Sequence, residues 1–215
     1  MTAPAPMVYI VDDDESLRTA LSRLLRAAGY EVRASASAGE FLMGERAERP
    51  ACLVLDVRMP GPSGLQLQQS LEKQEQPLPI VFLTGHGDIP MSVRAVQAGA
   101  VDFLTKPVKR ETLLRAVETA IARDIERQQA ADNRRGLQAR FDSMTSRERE
   151  VFTRVVAGLL NKQIAAEMSC SIRTVKIHRH RSMQKMQATS VADLVHMAEA
   201  LHGASIAKQL PPTSR

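Results

Sequence analysis

"MVYIVDDDESLRTALSRLLRAAGY", residues 7–30, is the stretch on which the fold turns. Residues 7–11 are an uninterrupted apolar run, short enough for a strand buried on both faces. Four acids follow: Asp12, Asp13, Asp14 and Glu15. Beyond them apolar residues recur at Leu17, Ala20, Leu21, Leu24 and Leu25, which is helical spacing, and Gly29 is placed to close the helix. Working outward, the pattern repeats. "ACLVLDV" (51–57), "LPIVFLT" (78–84) and "VDFL" (101–104) read as further strands, and "MSVRAVQAGA" (91–100) as a helix closed by Gly99. Strand and helix alternate from residue 7 to about 124, the signature of a parallel sheet with helices on both faces. Such sheets bind ligands beyond the carboxyl ends of their strands.

That rule selects the residues to inspect. The first strand ends at Asp12 and Asp13, the next apolar runs end at Asp56 and Thr84, and the last leads to Lys106 and Pro107. Two carboxylates about 4 Å apart repel by roughly 4 kcal/mol at an effective dielectric near 20, so carboxylates converging here need a cation. Three carboxylates suit a hard divalent ion such as Mg²⁺. With such an ion present, one carboxylate can act as a nucleophile toward a phosphoryl group, Lys106 can neutralise phosphoryl oxygens, and Thr84 can hydrogen-bond them. Taken singly these residues mean little: acids favour helix starts, and a threonine at a strand end is usually a turn residue. Their joint placement on one rim carries the argument. Asp14 and Glu15 keep the plain reading of helix-start acids.

After Pro107 a long helical pattern begins, with Leu113, Leu114, Val117, Ala120, Ile121 and Ile125 in one stripe. The stripe thins from about Asp124, suggesting an inter-domain connection with a flexible hinge near Gly136. Beyond residue 143 no strand pattern remains, and helical segments are expected near 145–157, 161–168, 171–187 and 190–201. Thr145 and Glu148 form a capping-box pair. "NKQIAAEM", the turn "SCS" and "IRTVKIHRHRSMQKM" (161–186) suggest a helix-turn-helix with Ser171 as N-cap. In its second helix Ile172, Val175, Met183 and Met186 are expected to face the core. Arg173, Lys176, Ile177 and His180 share another face, one that can enter a major groove. Charge points the same way. Residues 1–124 carry 14 basic and 16 acidic side chains, net −2, whereas residues 141–215 carry 11 and 6, net +5. A basic region behind an acidic one fits a nucleic-acid binder.

The remaining numbers exclude other classes. Of the 215 residues 44% are hydrophobic and 25% charged, a globular composition. No apolar run approaches a membrane span, and "MTAPAPM" lacks the basic and apolar regions of a secretory signal. Two distant cysteines, Cys52 and Cys170, fit buried thiols in a reduced, cytoplasmic protein. His178 and His180 have no carboxylate or thiol at helical spacing to complete a metal site.

At this point the residues carry a family resemblance. "VDDDE", "DVRMPGPSGLQL", "LTGHGD" and "AVDFLTKP" resemble, in order and spacing, the receiver domain of two-component response regulators, and "RMPG…G" (58–64) with "TGHGD" resembles the FixJ-type branch. The resemblance implies a doubly wound parallel five-stranded α/β domain phosphorylated on Asp56 by a sensor histidine kinase. It further implies that Asp12, Asp13, Asp56 and the backbone carbonyl of Arg58 hold Mg²⁺, that Thr84 and Lys106 contact the phosphoryl group, and that Phe103 is an aromatic switch. Val108 and Ser92 depart from common family residues near the surface receivers use to dimerise.

"MTSREREV", "GLLNKQIA" and "RTVKIHRHRSMQKM" resemble the LuxR/NarL-type four-helix DNA-binding domain. That resemblance implies Lys176, Ile177 and His180 as base readers and Lys162, Arg173, Thr174 and Arg181 as phosphate contacts; Arg173 stands where many members carry an acid. The resulting expectation is a receiver at 1–124, a helical linker at 125–142 and an all-α helix-turn-helix domain with a short tail at 143–215. It describes a transcription factor, not an enzyme, that dimerises on phosphorylation and meets a sensor kinase, promoter DNA and RNA polymerase. A Mg²⁺-dependent phosphatase using Asp56 would explain the rim but not the basic helices. A regulator of RNA would want more stacking aromatics than the 3% present.

Overall fold

The computed structural model describes residues 4–47, 49–73, 77–85, 93 and 95–202. The chain divides into two compact units, Met1–Gln128 and Gln129–Arg215.

In the first unit five parallel strands are ordered β2-β1-β3-β4-β5: β1 Met7–Val11, β2 Glu31–Ser35, β3 Ala51–Asp56, β4 Ile80–Thr84 and β5 Asp102–Thr105. The helices are α1 Glu15–Ala27, α2 Ala38–Met43, α3 Gly64–Glu72 and the long α4 Arg110–Asp142, with a further helical stretch that includes Val93 and 95–97. Every residue of β1, β3 and β4 is buried, which is why these strands are continuous apolar runs. Alternation assigns the faces. Tyr9, Val11, Leu53, Leu55 and Phe82 meet Phe41, Leu67, Leu71 and Ala95 on one side. Val8, Ile10, Cys52, Val54, Val81 and Leu83 meet Leu21, Leu25, Leu113, Val117 and Ile121 on the other. Burying each such aliphatic side chain contributes about 1.5–3 kcal/mol.

Helix α1 begins at Asp14, whose side chain accepts from the Leu17 N–H at 3.1 Å, and ends at Gly29, φ +92°, where the Tyr30 N–H closes on the Leu25 carbonyl. Its inner face differs from the expected stripe. Ala20 is exposed and Ser22 buried, because the side that meets the sheet is centred on Leu21 and Leu25. Val108 packs against the second core cluster, and Ser92 lies outside the described residues.

Where a hinge was expected near Gly136, α4 continues as helix to Asp142. A mid-helix glycine costs about 1 kcal/mol relative to alanine. Leu137 and Phe141, just beyond it, pack into the core of the second unit and hold the helix past that point.

The second unit is helical throughout its described residues: the end of α4, then α5 Ser146–Val156, α6 Asn161–Glu167, α7 Ile172–Met186 and α8 Val191–His202. Val151, Phe152, Val155, Ile164, Val175, Met186, Leu194 and Ala198 form its centre. Ile172 does not join it. It is 45% exposed although Val175, in the same first turn, is fully buried, and Ser182, 1% exposed, lies on the inner face instead. Cys52 is fully buried, and burial pushes its thiol well up from the usual range. Cys170, expected to be buried, is half-buried at the turn before α7. No helix among the described residues is long and apolar enough to cross a membrane.

Candidate functional site

The carboxyl ends of β1, β3 and β4 and the residue after β5 meet on one rim. Asp12 is 2% exposed and Asp56 7%, while Asp13 is exposed; one carboxylate oxygen from each lies within 4.8 Å of the others. Lys106 Nζ donates to Asp12 Oδ2 at 2.6 Å and to Asp56 Oδ2 at 2.9 Å. Burial pushes the Asp12 carboxyl above its ordinary range, against the opposing pull of Lys106 and the Asp14 N–H. Burial also disfavours the Lys106 ammonium, yet its hydrogen bonds to Asp12 and Asp56 hold its pKa above the usual lysine value. Among the described residues Lys106 thus faces three carboxylates, with the Arg18 guanidinium on the Asp12 carbonyl beside them, leaving net negative charge and oxygen donors on a partly open rim.

The surrounding backbone fixes this geometry. The Asp14 N–H donates to Asp12 Oδ1 at 3.0 Å, and the Arg58 N–H donates to Asp56 Oδ1 at 3.3 Å. Thr84, 1% exposed, accepts the Lys106 N–H at its carbonyl at 2.7 Å, so the threonine and the lysine are joined through the main chain. The Lys106–Pro107 peptide is cis. Phe103, half-buried, lies with its ring 6.0 Å from that of Phe82. Arg18 beside the rim and Gln68 farther along α3 were not singled out from sequence, and Gly64 was read only as part of a receiver-like run. Arg18 donates to the Asp12 carbonyl at 2.8 Å. Gly64 lies so close to Asp56 that a Cβ there would sit 2.1 Å from the Asp56 carbonyl oxygen. Gln68 is a buried amide on α3. In the sequence Gly64 stands within the receiver-like run "DVRMPGPSGLQL", just after the capping Ser63.

In the second unit Ser171 caps α7 by accepting the Thr174 N–H at 3.0 Å; the Thr174 hydroxyl lies 2.8 Å from Ser171 Oγ. Arg173, Lys176, Ile177, His180 and Arg181 are exposed on α7, as is Lys162 on α6, while Thr174 is half-buried. Ile177, 45% exposed, is an aliphatic residue set among cations. The helix bearing this face is held from behind. The expected capping box is present, with the Thr145 N–H donating to Glu148 Oε2 at 2.9 Å. Glu148 also accepts from Lys185 Nζ at 2.7 Å, and Ser182 Oγ lies 3.0 Å from the Glu148 carbonyl. The Lys185 hydrogen bond, then the Thr145 N–H, bring the Glu148 carboxyl down to about 2. Arg179 donates to Asn161 Oδ1 at 3.0 Å, tying α7 to the start of α6.

An acidic, lysine-bridged rim on a doubly wound parallel sheet, followed by a basic helix-turn-helix, defines a signal-receiving regulator of DNA. Comparison with known proteins agrees. Residues 8–118 match the response regulator receiver domain, and residues 142–198 match the bacterial regulatory proteins of the luxR family. Nodulation protein W of Bradyrhizobium diazoefficiens is 47% identical over 195 residues, covering 91% of this chain and 86% of that protein. Among solved structures, the response regulator StyR is 48% identical with a TM-score of 0.80, covering 91% of this chain and 98% of StyR. Full-length FixJ from B. japonicum is 39% identical with a TM-score of 0.55, covering 91% and 96%. The chain belongs to the response regulators that join a receiver to a LuxR-type DNA-binding domain, a family that regulates transcription through phosphorylation.

Proposed function

We propose that Asp56 is the phosphoacceptor and that a sensor histidine kinase is its donor. The bridging of Asp12 and Asp56 by Lys106 carries this reading. It places a carboxylate nucleophile beside an ammonium that can neutralise phosphoryl oxygens. A carboxylate oxygen of Asp56 forms the new P–O bond as the P–N bond to the kinase imidazole breaks, and the imidazole leaves with the electron pair. Asp12, Asp13, Asp56 and the Arg58 carbonyl hold Mg²⁺, a fit supported by three clustered carboxylates facing the Lys106 ammonium. When bound, Mg²⁺ adds positive charge against the transferring phosphoryl oxygens. Thr84 and Lys106 contact the product phosphoryl, and Phe103 repacks as Thr84 shifts.

The consequence is dimerisation through the receiver face that includes the stretch around Val93 and Val96, 47% and 53% exposed. A dimer sets two recognition helices on paired half-sites of promoter DNA. Lys176, Ile177 and His180 read base edges; Lys162, Arg173, Thr174 and Arg181 contact phosphates. RNA polymerase is the onward partner, and the cytoplasm the place of action. The linker over 125–142 joins a receiver at 1–124 to the DNA-binding domain at 143–215.

The test is incubation of the full chain with a small phosphodonor and Mg²⁺. One phosphoryl group per chain, lost in Asp56→Asn and accompanied by tighter duplex binding, is the expected result. Equal phosphoprotein yield from Asp56→Asn overturns the assignment. Rapid turnover of a small phosphomonoester would point to an enzyme instead.

A further inference from the structure

Gln68 is 2% exposed, on the inner face of α3 beside Leu67 and Leu71. A buried amide is costly unless its donors are used. Its Nε2 donates to the Ala98 carbonyl at 2.7 Å and to the Ala95 carbonyl at 3.2 Å, 30 and 27 residues away. Both acceptors lie in the last turn of the helical stretch that precedes β5, which Gly99 closes with φ +82°. The last carbonyls of a helix lack their usual i+4 partners; the Ala95 carbonyl already accepts the Ala100 N–H at 3.0 Å, so the glutamine adds a second bond there and bonds the Ala98 carbonyl from outside the helix.

Gly64 lies one turn earlier on the same face of α3. Its N–H donates to the Val57 carbonyl at 3.0 Å, and its Cα side presses on Asp56 so closely that a Cβ would meet the Asp56 carbonyl oxygen at 2.1 Å. One face of α3 therefore rests on the backbone of Asp56 at one end and holds the stretch carrying Val93 and Val96 at the other. In the chain, that stretch lies between Thr84 and Phe103.

We propose that Gln68 is a positioning residue that couples Asp56 to the valine-bearing stretch, with α3 as the strut between them, acting in parallel with Thr84 and Phe103. The inference rests on the reading above, in which Asp56 accepts the phosphoryl group and the stretch around Val93 and Val96 forms the dimer face. Packing alone would be served by an apolar side chain of the same length. The amide adds two directional bonds that fix where the last turn sits relative to α3.

The test uses the full chain with a small phosphodonor and Mg²⁺, and two readouts: phosphoryl groups per chain by mass, and self-association by sedimentation. Gln68→Met keeps length and removes both donors; Gln68→Glu turns acceptor atoms toward two carbonyls. Each is expected to take phosphoryl within twofold of the wild type while losing at least tenfold of the phosphorylation-linked gain in dimer affinity. A residue that only held the fold would lower both readouts together. The wild type supplies a check independent of variants: the side-chain amide resonance of Gln68 is expected to move on phosphorylation. An undiminished dimer gain in Gln68→Met, parallel losses in both readouts, or an unmoved amide resonance overturns the inference. A wild type that takes no phosphoryl overturns the underlying reading of Asp56, and this one with it.

Discussion

Lys106 Nζ and Asp12 Oδ2 lie 2.6 Å apart although 94 residues separate them in the chain, and the same ammonium reaches Asp56 at 2.9 Å. Removing it leaves two buried carboxylates facing each other. Removing one partner of a buried pair typically costs about 3–5 kcal/mol. Lys106→Met should therefore melt well below the wild type in chelator, and added Mg²⁺ should raise its melting temperature more than it raises that of the wild type. Equal melting of the two proteins in chelator would show that the ammonium does not hold the rim together.

Asp13 and Asp14 are adjacent acids with different work. Asp13 belongs to the carboxylate cluster, whereas the Asp14 side chain is occupied as the N-cap of α1. Asp13→Ala should weaken Mg²⁺ binding by about tenfold or more, roughly 1.4 kcal/mol per decade. Asp14→Ala should leave that affinity nearly unchanged and lower stability by about 0.5–2 kcal/mol, the usual worth of a cap. Calorimetric titration with Mg²⁺ and thermal melts of both variants separate the two roles. Equal losses of Mg²⁺ affinity would show that the cap and the cluster are one feature.

Glu148 gives a pH dependence with a definite sign. Lys185 and the Thr145 N–H bring its carboxyl from an ordinary value of 4.5 down to about 2. The lowered value means that the folded state favours the carboxylate. Its contribution is complete above about pH 4.5 and is lost as pH falls toward 2. Glu148→Gln should therefore be less stable than the wild type at pH 7, and the two melting temperatures should converge as pH falls through that window. A gap independent of pH would assign the effect to packing rather than charge.

On α7, Lys176→Ala should cost about 1–3 kcal/mol on a preferred duplex and much less on unrelated sequence if the side chain reads a base. Equal loss on all duplexes would make it a phosphate contact. Ile177 offers only methyl and methylene groups, so the base feature it can read is the thymine methyl. Replacing thymine by deoxyuridine within the preferred duplex should weaken the wild type and leave Ile177→Ala nearly indifferent. Footprinting of the phosphorylated chain on genomic DNA would supply that duplex.

How much of this could be read without coordinates depends on what each residue meets. β1, β3 and β4 are legible because both faces are buried, which forces continuous apolar runs. β2 is an edge strand, "EVRAS", with only Ser35 buried, so it lacks that signature and was not singled out. Thr145 and Glu148 are legible as a local pair at fixed spacing. The bond from Glu148 to Lys185 spans 37 residues, and no periodicity encodes it. Gly136 looked like a break because glycine is a poor helix former. The packing of Leu137 and Phe141 outweighs that preference, and tertiary contacts are invisible to a propensity argument. On the rim, acids at strand ends were visible one by one. Gln68 was not, because an amide on an amphipathic helix reads as surface until its acceptors are known.

The two thiols have a practical consequence. Cys52 lies at 0% exposure in β3 with its ionisation suppressed, and Cys170 is half-buried in the other unit. Only a thiolate that solvent can reach is readily alkylated. Cys52 therefore reacts only when the sheet opens, at a rate that follows the population of the opened state, while Cys170 samples the turn before α7. Mass spectra taken through the course of alkylation can thus time the opening of the receiver sheet at Cys52, with the more accessible Cys170 as a reference thiol in the same chain and no label introduced.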